Sequence, residues 1–154
     1  MTYSISVLRV APRALASVRE RMAIRDVPLR FRPLLDQVYA AAKRDAIGLD
    51  GQNVFVYRVG PSDIAEVEFG VGTENPFAPI GRVMYSEVPG GDVATTTHWG
   101  DYGALGAAHD ALLTWCRAER HTLAGISWEV YGHWQDDPAQ RRTDIFHLLR
   151  RAAD

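Results

Sequence analysis

The sequence repeats one arrangement of secondary structure twice, and this repeat constrains the fold more than any single motif does. In each half, period-two alternation of apolar and polar residues predicts two strands, apolar residues at helical spacing then predict a helix, and two more strands follow. The halves span about residues 1–72 and 82–154, with the turn-rich stretch 73–81 as their joint. The sequence therefore predicts a single domain, 1–154, built from two similar halves.

In the first half, the helix is predicted to run from Pro33 to Gly48, because proline suits a first helical turn and glycine suits a C-terminal stop. The residues at helical spacing, which should form its buried face, are Leu34, Leu35, Val38, Tyr39 and Ala42. The predicted strands cover residues 4–10, 13–22, 53–59 and 64–71, with a turn at 60–63 between the last two.

In the second half, Asp101 is suited to be the N-cap of a helix over residues 102–119. The buried face of that helix should consist of Leu105, Ala108, Leu112 and Trp115. The predicted strands cover residues 82–89, 92–99, 125–134 and 143–149. The Pro-Gly-Gly-Asp sequence at 89–92 predicts a hairpin between the first two of them. Together the halves predict an α+β fold, an antiparallel sheet with two long helices on one face.

The strand predicted over residues 125–134 places an acid among aromatic residues. Strand alternation puts Trp128 and Val130 toward a core. The opposite face should carry Glu129, Tyr131 and His133. A carboxylate on a wall of rings is expensive to bury unless it is paired, neutralised or kept for a ligand.

Aligning the two halves places Phe55 at the position of Glu129, and Tyr57 at the position of Tyr131. A two-fold relation between the halves would bring these four side chains together across a groove. The sequence therefore predicts a central aromatic cleft that holds one unpaired acid.

Composition narrows the classes of function. The net charge of −2 gives no support for binding of nucleic acid or anionic membranes. A single cysteine, Cys116, excludes an intramolecular disulfide and a cysteine metal cluster. No apolar run approaches the roughly 18 residues of a membrane span, and the N-terminus lacks signal-peptide features. We expect a cytoplasmic monomer or weak homodimer with no metal, no cofactor, and a small molecule as its partner.

Three segments resemble the GyrI-like small-molecule-binding domain: His-Trp-Gly-Asp-Tyr at 98–102, Trp-Glu-Val-Tyr at 128–131 and Arg-Thr-Asp-Ile-Phe at 142–146. The resemblance covers nearly the whole chain. The same domain forms the effector-binding half of multidrug-responsive regulators of the AraC and MerR classes. The resemblance implies two tandem strand–helix–strand–strand units around a cleft for amphipathic, often cationic, aromatic compounds.

The resemblance further implies that Glu129 faces the ligand, with Tyr131 and Tyr102 beside it. The remaining candidates for the ligand site are Phe55, Tyr57, Trp99, His133 and Phe146. Aromatic faces attract a cation by roughly 0.5–2 kcal/mol each. Burial of about 300 Å² of apolar ligand surface contributes roughly 7 kcal/mol before association costs. Stacking should therefore supply most of the affinity, while Glu129 selects the sign of the charge.

Two alternative functions follow from the same resemblance. Some free-standing relatives are implied to hydrolyse cyclopropane-containing alkylating toxins. In that case burial would raise the pKa of Glu129, which would act as general base, and Tyr102 or Tyr131 would hydrogen-bond a developing oxyanion. Other relatives are associated with inhibition of DNA gyrase. Because residue 4 already begins a strand, we do not expect the DNA-binding domain that precedes this module in the regulators.

Structural explanations remain open for several of these residues. Glu129 could be a strand acid on a solvated face, paired with Arg58 or Arg142. Glu68 is predicted to be a solvated strand residue, and His98 to bond to the backbone at the start of the second helix.

Overall fold

Within residues 2–60 and 62–151, which a computed structural model of the chain describes, strands and α-helices follow one another in the order that the repeat predicts. The predicted turn at 60–63 includes Pro61, which lies outside the described residues. The elements are β1 (Ser6–Val10), β2 (Arg13–Ala23), α1 (Val27–Asp45), β3 (Leu49–Val59), β4 (Ile64–Thr73), β5 (Met84–Val88), β6 (Gly91–Trp99), α2 (Leu105–Ala118), β7 (Leu123–Tyr131) and β8 (Arg142–Leu149). The predicted α+β class is confirmed.

The chain forms two compact units. Unit 1 combines the chain before Pro12 with the chain from Gly90 onward, and unit 2 is Pro12–Pro89. Each unit holds four antiparallel strands and one long helix. Among the described residues, neither helix has both the length and the apolar character that crossing a membrane requires.

In unit 2 the strands lie in the order β3-β4-β2-β5, and α1 packs on β2 and β4. The ring of Phe55 on β3 lies 5.7 Å from that of Phe31 on α1 and 4.9 Å from that of Phe69 on β4. Phe55 therefore faces the helix. The buried residues of α1 recur at helical spacing: Val27, Leu34, Leu35, Val38, Ala41 and Ala42.

The bounds of α1 differ from the prediction. The helix begins at Val27, so Pro33 lies inside it rather than in its first turn. The ring of Pro33 is exposed, which leaves water free to solvate the carbonyl that lacks its usual partner. The helix ends at Asp45, followed by its C-cap Ala46 with a φ of 55°, and does not extend to Gly48. Tyr39, expected on the buried face, is 40% exposed.

In unit 1 the strands lie in the order β1-β6-β8-β7, and α2 packs on β6. Its buried core is formed by Ala94, Leu105, Ala108, Leu112, Cys116, Ile145 and Leu149, with Trp115 packed against it. The Asp101 side chain accepts a hydrogen bond from the Gly103 backbone at 3.3 Å, which caps a 3-10 turn immediately before α2. Asp101 is therefore an N-cap, as predicted, and it caps the 3-10 turn that leads into α2.

The predicted hairpin between β5 and β6 is wrong. Strand β5 pairs with β2, with Tyr85 opposite Ala16, whereas β6 pairs with β1 and β8. Each strand finds its partners inside its own unit, and the chain passes from unit 2 to unit 1 at Gly90. Gly91 has a φ of 141°, a conformation that glycine adopts far more readily than other residues.

Glu68 on β4 is fully buried, which contradicts the predicted solvated position. Its neighbour Phe69 faces α1, so Glu68 faces the other side of the sheet. Its carboxylate accepts hydrogen bonds from Ser17 at 2.5 Å and from Arg58 at 2.8 Å, and Arg19 lies 3.5 Å away. Burial alone would raise the pKa of Glu68, but these hydrogen bonds and the charge of Arg19 outweigh it and lower the pKa.

Replacing Glu68 by glutamine should destabilise the protein by about 3 kcal/mol, because Arg58 loses its buried counter-charge. A lowered pKa means that the stabilisation from Glu68 is present above its ordinary pKa of 4.5 and is lost as the pH falls through the folded value. Chemical denaturation across acidic pH should therefore give a flatter profile for Glu68→Gln than for the wild type.

The matched control is Glu66→Gln, the same change at a half-exposed acid that lies 3.4 Å from Arg19. It should cost less than about 1 kcal/mol. Equal losses of stability in the two variants would contradict a structural role for the ion pair between Glu68 and Arg58.

Candidate functional site

Glu129 lies on the face of the unit 1 sheet that α2 covers. It stands opposite Ile145 in the ladder between β7 and β8, and Ile145 belongs to the core beneath α2. Glu129 is only 5% exposed. The alternation correctly predicts that Glu129 and Trp128 lie on opposite faces of the sheet. The face that carries Glu129, however, is the one that α2 covers. Trp128 is buried on the other side, stacked on Phe146 with ring centroids 5.6 Å apart.

Both carboxylate oxygens of Glu129 are hydrogen-bonded. The Tyr131 hydroxyl donates to Oε1 at 2.6 Å, and Nε2 of His109, on α2, lies 2.8 Å from Oε2. The expectation of an unpaired acid is therefore wrong. The suggested arginine partners are engaged elsewhere: Arg58 with Glu68 and Arg142 with Asp144.

A second histidine extends this arrangement across the sheet. Nδ1 of His109 lies 2.9 Å from Nε2 of His147 on β8, and the two rings are nearly perpendicular. Burial, and then the nearby His109, lower the pKa of His147 to about 4, although Glu129 opposes this shift. His147 is thus neutral at pH 7.

The two histidine rings and Glu129 are joined by consecutive hydrogen bonds. Nε2 of His109 faces the Glu129 carboxylate, and Nδ1 of the same ring faces Nε2 of His147. The result is a continuous chain of hydrogen bonds from Tyr131 through Glu129 and His109 to His147. Among the described residues, no three His, Cys, Asp or Glu side chains are grouped as metal ligands would be.

Aromatic rings border this chain. Tyr102, just before α2, meets Tyr131 edge to face with centroids 5.4 Å apart. On its other side, Tyr102 lies 6.3 Å from Trp134, whose side chain is 63% exposed. The guanidinium of Arg141 lies over the Trp134 ring at 3.9 Å. The buried carboxylate is thus linked to the surface through a series of aromatic rings.

The other predicted ligand residues lie elsewhere. Trp99 and Phe146 alternate with His98 and Ile145 and so face away from α2. His133 is exposed and follows the end of β7. Three residues of the predicted site, Glu129, Tyr131 and Tyr102, are therefore neighbours in unit 1.

Phe55 and Tyr57 are buried in unit 2. They lie on β3 at positions matching those of Glu129 and Tyr131 on β7, on the strand face that carries the Phe55 contact with α1. The parity on which the alignment depends is therefore confirmed within each unit.

Sequence reasoning missed His109, and the repeat contains the signal that could have found it. His109 lies twenty residues before Glu129, as Leu35 does before Phe55. A polar residue at the counterpart of a buried leucine marks a special position. His98 has the expected structural role, since its Nε2 lies 3.0 Å from a backbone oxygen at the start of the helix.

Comparison with known families and curated proteins gives little. A profile for a family of unknown function, DUF6197, matches residues 80–154, a little under half of the chain. No curated protein matches the sequence.

Several solved structures match nearly the whole chain in fold, although their sequence identity to it is low. The EcmrR C-terminal domain is 19% identical, covers 99% of this chain and 100% of that domain, and superposes with a TM-score of 0.82. EcmrR in its complex with DNA gives 20% identity and a TM-score of 0.80, over 97% of this chain and 58% of that one.

Two further structures have the same fold. SAV2435 bound to tetraphenylphosphonium is 11% identical over 97% of this chain and 94% of that one, with a TM-score of 0.65. A hydrolase from Listeria innocua is 11% identical over 95% and 91%, with a TM-score of 0.62. The chain therefore has the GyrI-like fold that its sequence motifs resemble.

The half-buried position of His147 predicts a specific dependence of stability on pH. Because its pKa is lowered from 6.5 to about 4, the unfolded chain binds a proton in this range that the folded chain does not. Stability should thus fall by up to about 3 kcal/mol as the pH drops from 6.5 toward 4. Denaturation of wild type and His147→Gln, with NMR titration of the ring, measures this.

His147→Gln should remove this part of the profile, whereas His133→Gln, at an exposed histidine, should keep it. An NMR midpoint for His147 near 6.5 would contradict the half-buried neutral ring.

Proposed function

We propose that this protein binds amphipathic aromatic cations at the Glu129 site. The observation that carries the proposal is a buried carboxylate whose hydrogen-bond donors in unit 1 are a tyrosine hydroxyl and an imidazole. The Tyr131 hydroxyl and the His109 ring stabilise the carboxylate by hydrogen bonding. An ionised Glu129 beside aromatic rings attracts a positive ligand.

The other buried acid shows what a structural role requires. Glu68 has two arginines within 3.5 Å, and their charge offsets its own. The donors that unit 1 provides to Glu129 are a tyrosine hydroxyl and a histidine ring. A cation about 6 Å from a carboxylate gains roughly 3 kcal/mol at an effective dielectric of about 20. The site therefore favours a positive ligand over a neutral or negative one of equal shape.

The tyrosines supply the apolar part of the site. Tyr102 and Tyr131 are half-buried and perpendicular, so each offers ring surface to a flat or propeller-shaped ligand. Donation from the Tyr131 hydroxyl to Glu129 also enriches that ring in electron density, which strengthens its attraction for a cation. SAV2435, which has the same fold, binds tetraphenylphosphonium, and this supports the same ligand class for the present chain.

Tetraphenylphosphonium and tetraphenylborate, which have nearly the same shape and opposite charge, test the proposal. Calorimetric titration should give binding of the cation and at least about tenfold weaker binding of the anion. Glu129→Gln should weaken binding of the cation at least about tenfold, because it removes the negative charge and keeps the size of the side chain.

Glu66→Gln, the same substitution at a half-exposed acid of unit 2, should leave both affinities unchanged. Equal affinity of wild type for the two ions would contradict charge selection by Glu129.

A hydrolase is the second candidate, favoured by the chain of hydrogen bonds from Glu129 to His147 and by the Listeria innocua hydrolase of the same fold. Water would attack a strained ring carbon, forming a C–O bond as a ring C–C bond breaks. The electron pair would pass to a conjugated carbonyl, and Glu129 would take the water proton. Because Tyr131 already donates to Glu129, Tyr102 is the freer donor for the developing oxyanion.

Incubation with a cyclopropane-containing alkylating compound, followed by mass spectrometry, tests this candidate. Ring opening should add the mass of one water with wild type and be slowed at least about hundredfold in Glu129→Gln. Recovery of intact compound at the same rate from both proteins and from buffer would eliminate the hydrolase.

A further inference from the structure

Arg141 lies at the outer end of the series of rings that begins at Glu129. Its guanidinium is 3.9 Å from the centre of the Trp134 ring and 5.8 Å from that of Tyr102. Backbone carbonyls hold it in place, because Nε donates to that of Gln135 at 2.9 Å and one terminal nitrogen donates to that of Asp136 at 3.4 Å. The side chain is half-buried, and its guanidinium lies over the Trp134 ring.

The Arg141 guanidinium forms no ion pair with a described residue. Among the described residues, no carboxylate lies within 4.0 Å of its guanidinium. The nearby Asp136 carboxylate accepts instead from the Trp134 indole at 3.2 Å. By contrast, the adjacent Arg142 lies 3.0 Å from Asp144. A guanidinium that rests on a ring keeps part of its fork of donors for a planar anion.

An acidic side chain, Glu129, and a basic one, Arg141, therefore lie at the two ends of one series of aromatic rings in unit 1. Tyr131 contacts the carboxylate, Tyr102 contacts Tyr131, and Arg141 lies beside Tyr102 and Trp134. A cation without an anionic group gains from Glu129 but is repelled by Arg141 where it would stack on the outer rings. A molecule with both charges on an aromatic frame satisfies both ends.

We infer that the ligand is a zwitterionic aromatic compound, with its cationic group toward Glu129 and a carboxylate or similar anion on Arg141. This inference rests on the proposed function and narrows its ligand class. Arg141 is then the residue that determines specificity between zwitterions and simple cations.

Two dyes that differ in a single group test the inference. Rhodamine 6G is a cationic ethyl ester, and rhodamine 19 is the same dye with a free carboxylate. Fluorescence anisotropy with wild type should give about three- to tenfold tighter binding of rhodamine 19. Arg141→Gln should reverse or abolish this preference, because it weakens binding of the zwitterion and removes the repulsion between Arg141 and the cationic ester.

Arg142→Gln is the matched control, since it removes the same charge from the next residue, whose side chain lies by Trp99. It should keep the wild-type ratio. Arg141→Lys retains the charge and should retain most of the preference. A loss as large as that in Arg141→Gln would assign the effect to stacking and overturn the inference.

The outcomes separate the inference from the proposed function. Binding of both dyes by wild type, in a ratio that Arg141→Gln leaves unchanged, overturns the zwitterion inference alone. Failure of wild type to bind either dye or tetraphenylphosphonium overturns the proposed function as well.

Discussion

The site depends on one interaction, the buried carboxylate of Glu129 held by Tyr131 and His109. Removing such a group from water costs several kcal/mol unless donors replace the lost hydration. Those donors tie three elements together, because Tyr131 shares β7 with Glu129, His109 comes from α2, and His147 on β8 fixes the ring of His109. These contacts therefore hold the Glu129 side chain in one position.

The two buried acids illustrate two solutions to one electrostatic problem. Glu68 is neutralised by arginines in unit 2, so its burial serves stability. Glu129 accepts hydrogen bonds from a hydroxyl and an imidazole of unit 1, and removing its carboxylate from water has a cost in stability. Natural proteins accept such a cost mainly where function requires it. This contrast, more than burial itself, is the basis for proposing that Glu129 is a binding residue.

Local pattern predicted the order of the elements, the Asp101 cap and the separation of Glu129 from Trp128, because each depends on residues close in sequence. The sequence did not reveal that β5 pairs with β2 or that α1 begins as early as Val27, since both depend on packing within the unit. The partners of Glu129 were missed for the same reason: His109 is twenty residues away and reaches it only through the docking of α2.

The central claim is that the Glu129 carboxylate senses the charge of a bound ligand. The most direct measurement is the carbon-13 chemical shift of its side-chain carboxyl at pH 7, followed during titration with tetraphenylphosphonium. The account predicts the shift of an ionised carboxylate in the free protein, and a saturable change as the cation binds. A protonated carboxyl, or a signal unmoved while the cation saturates the protein, would contradict it.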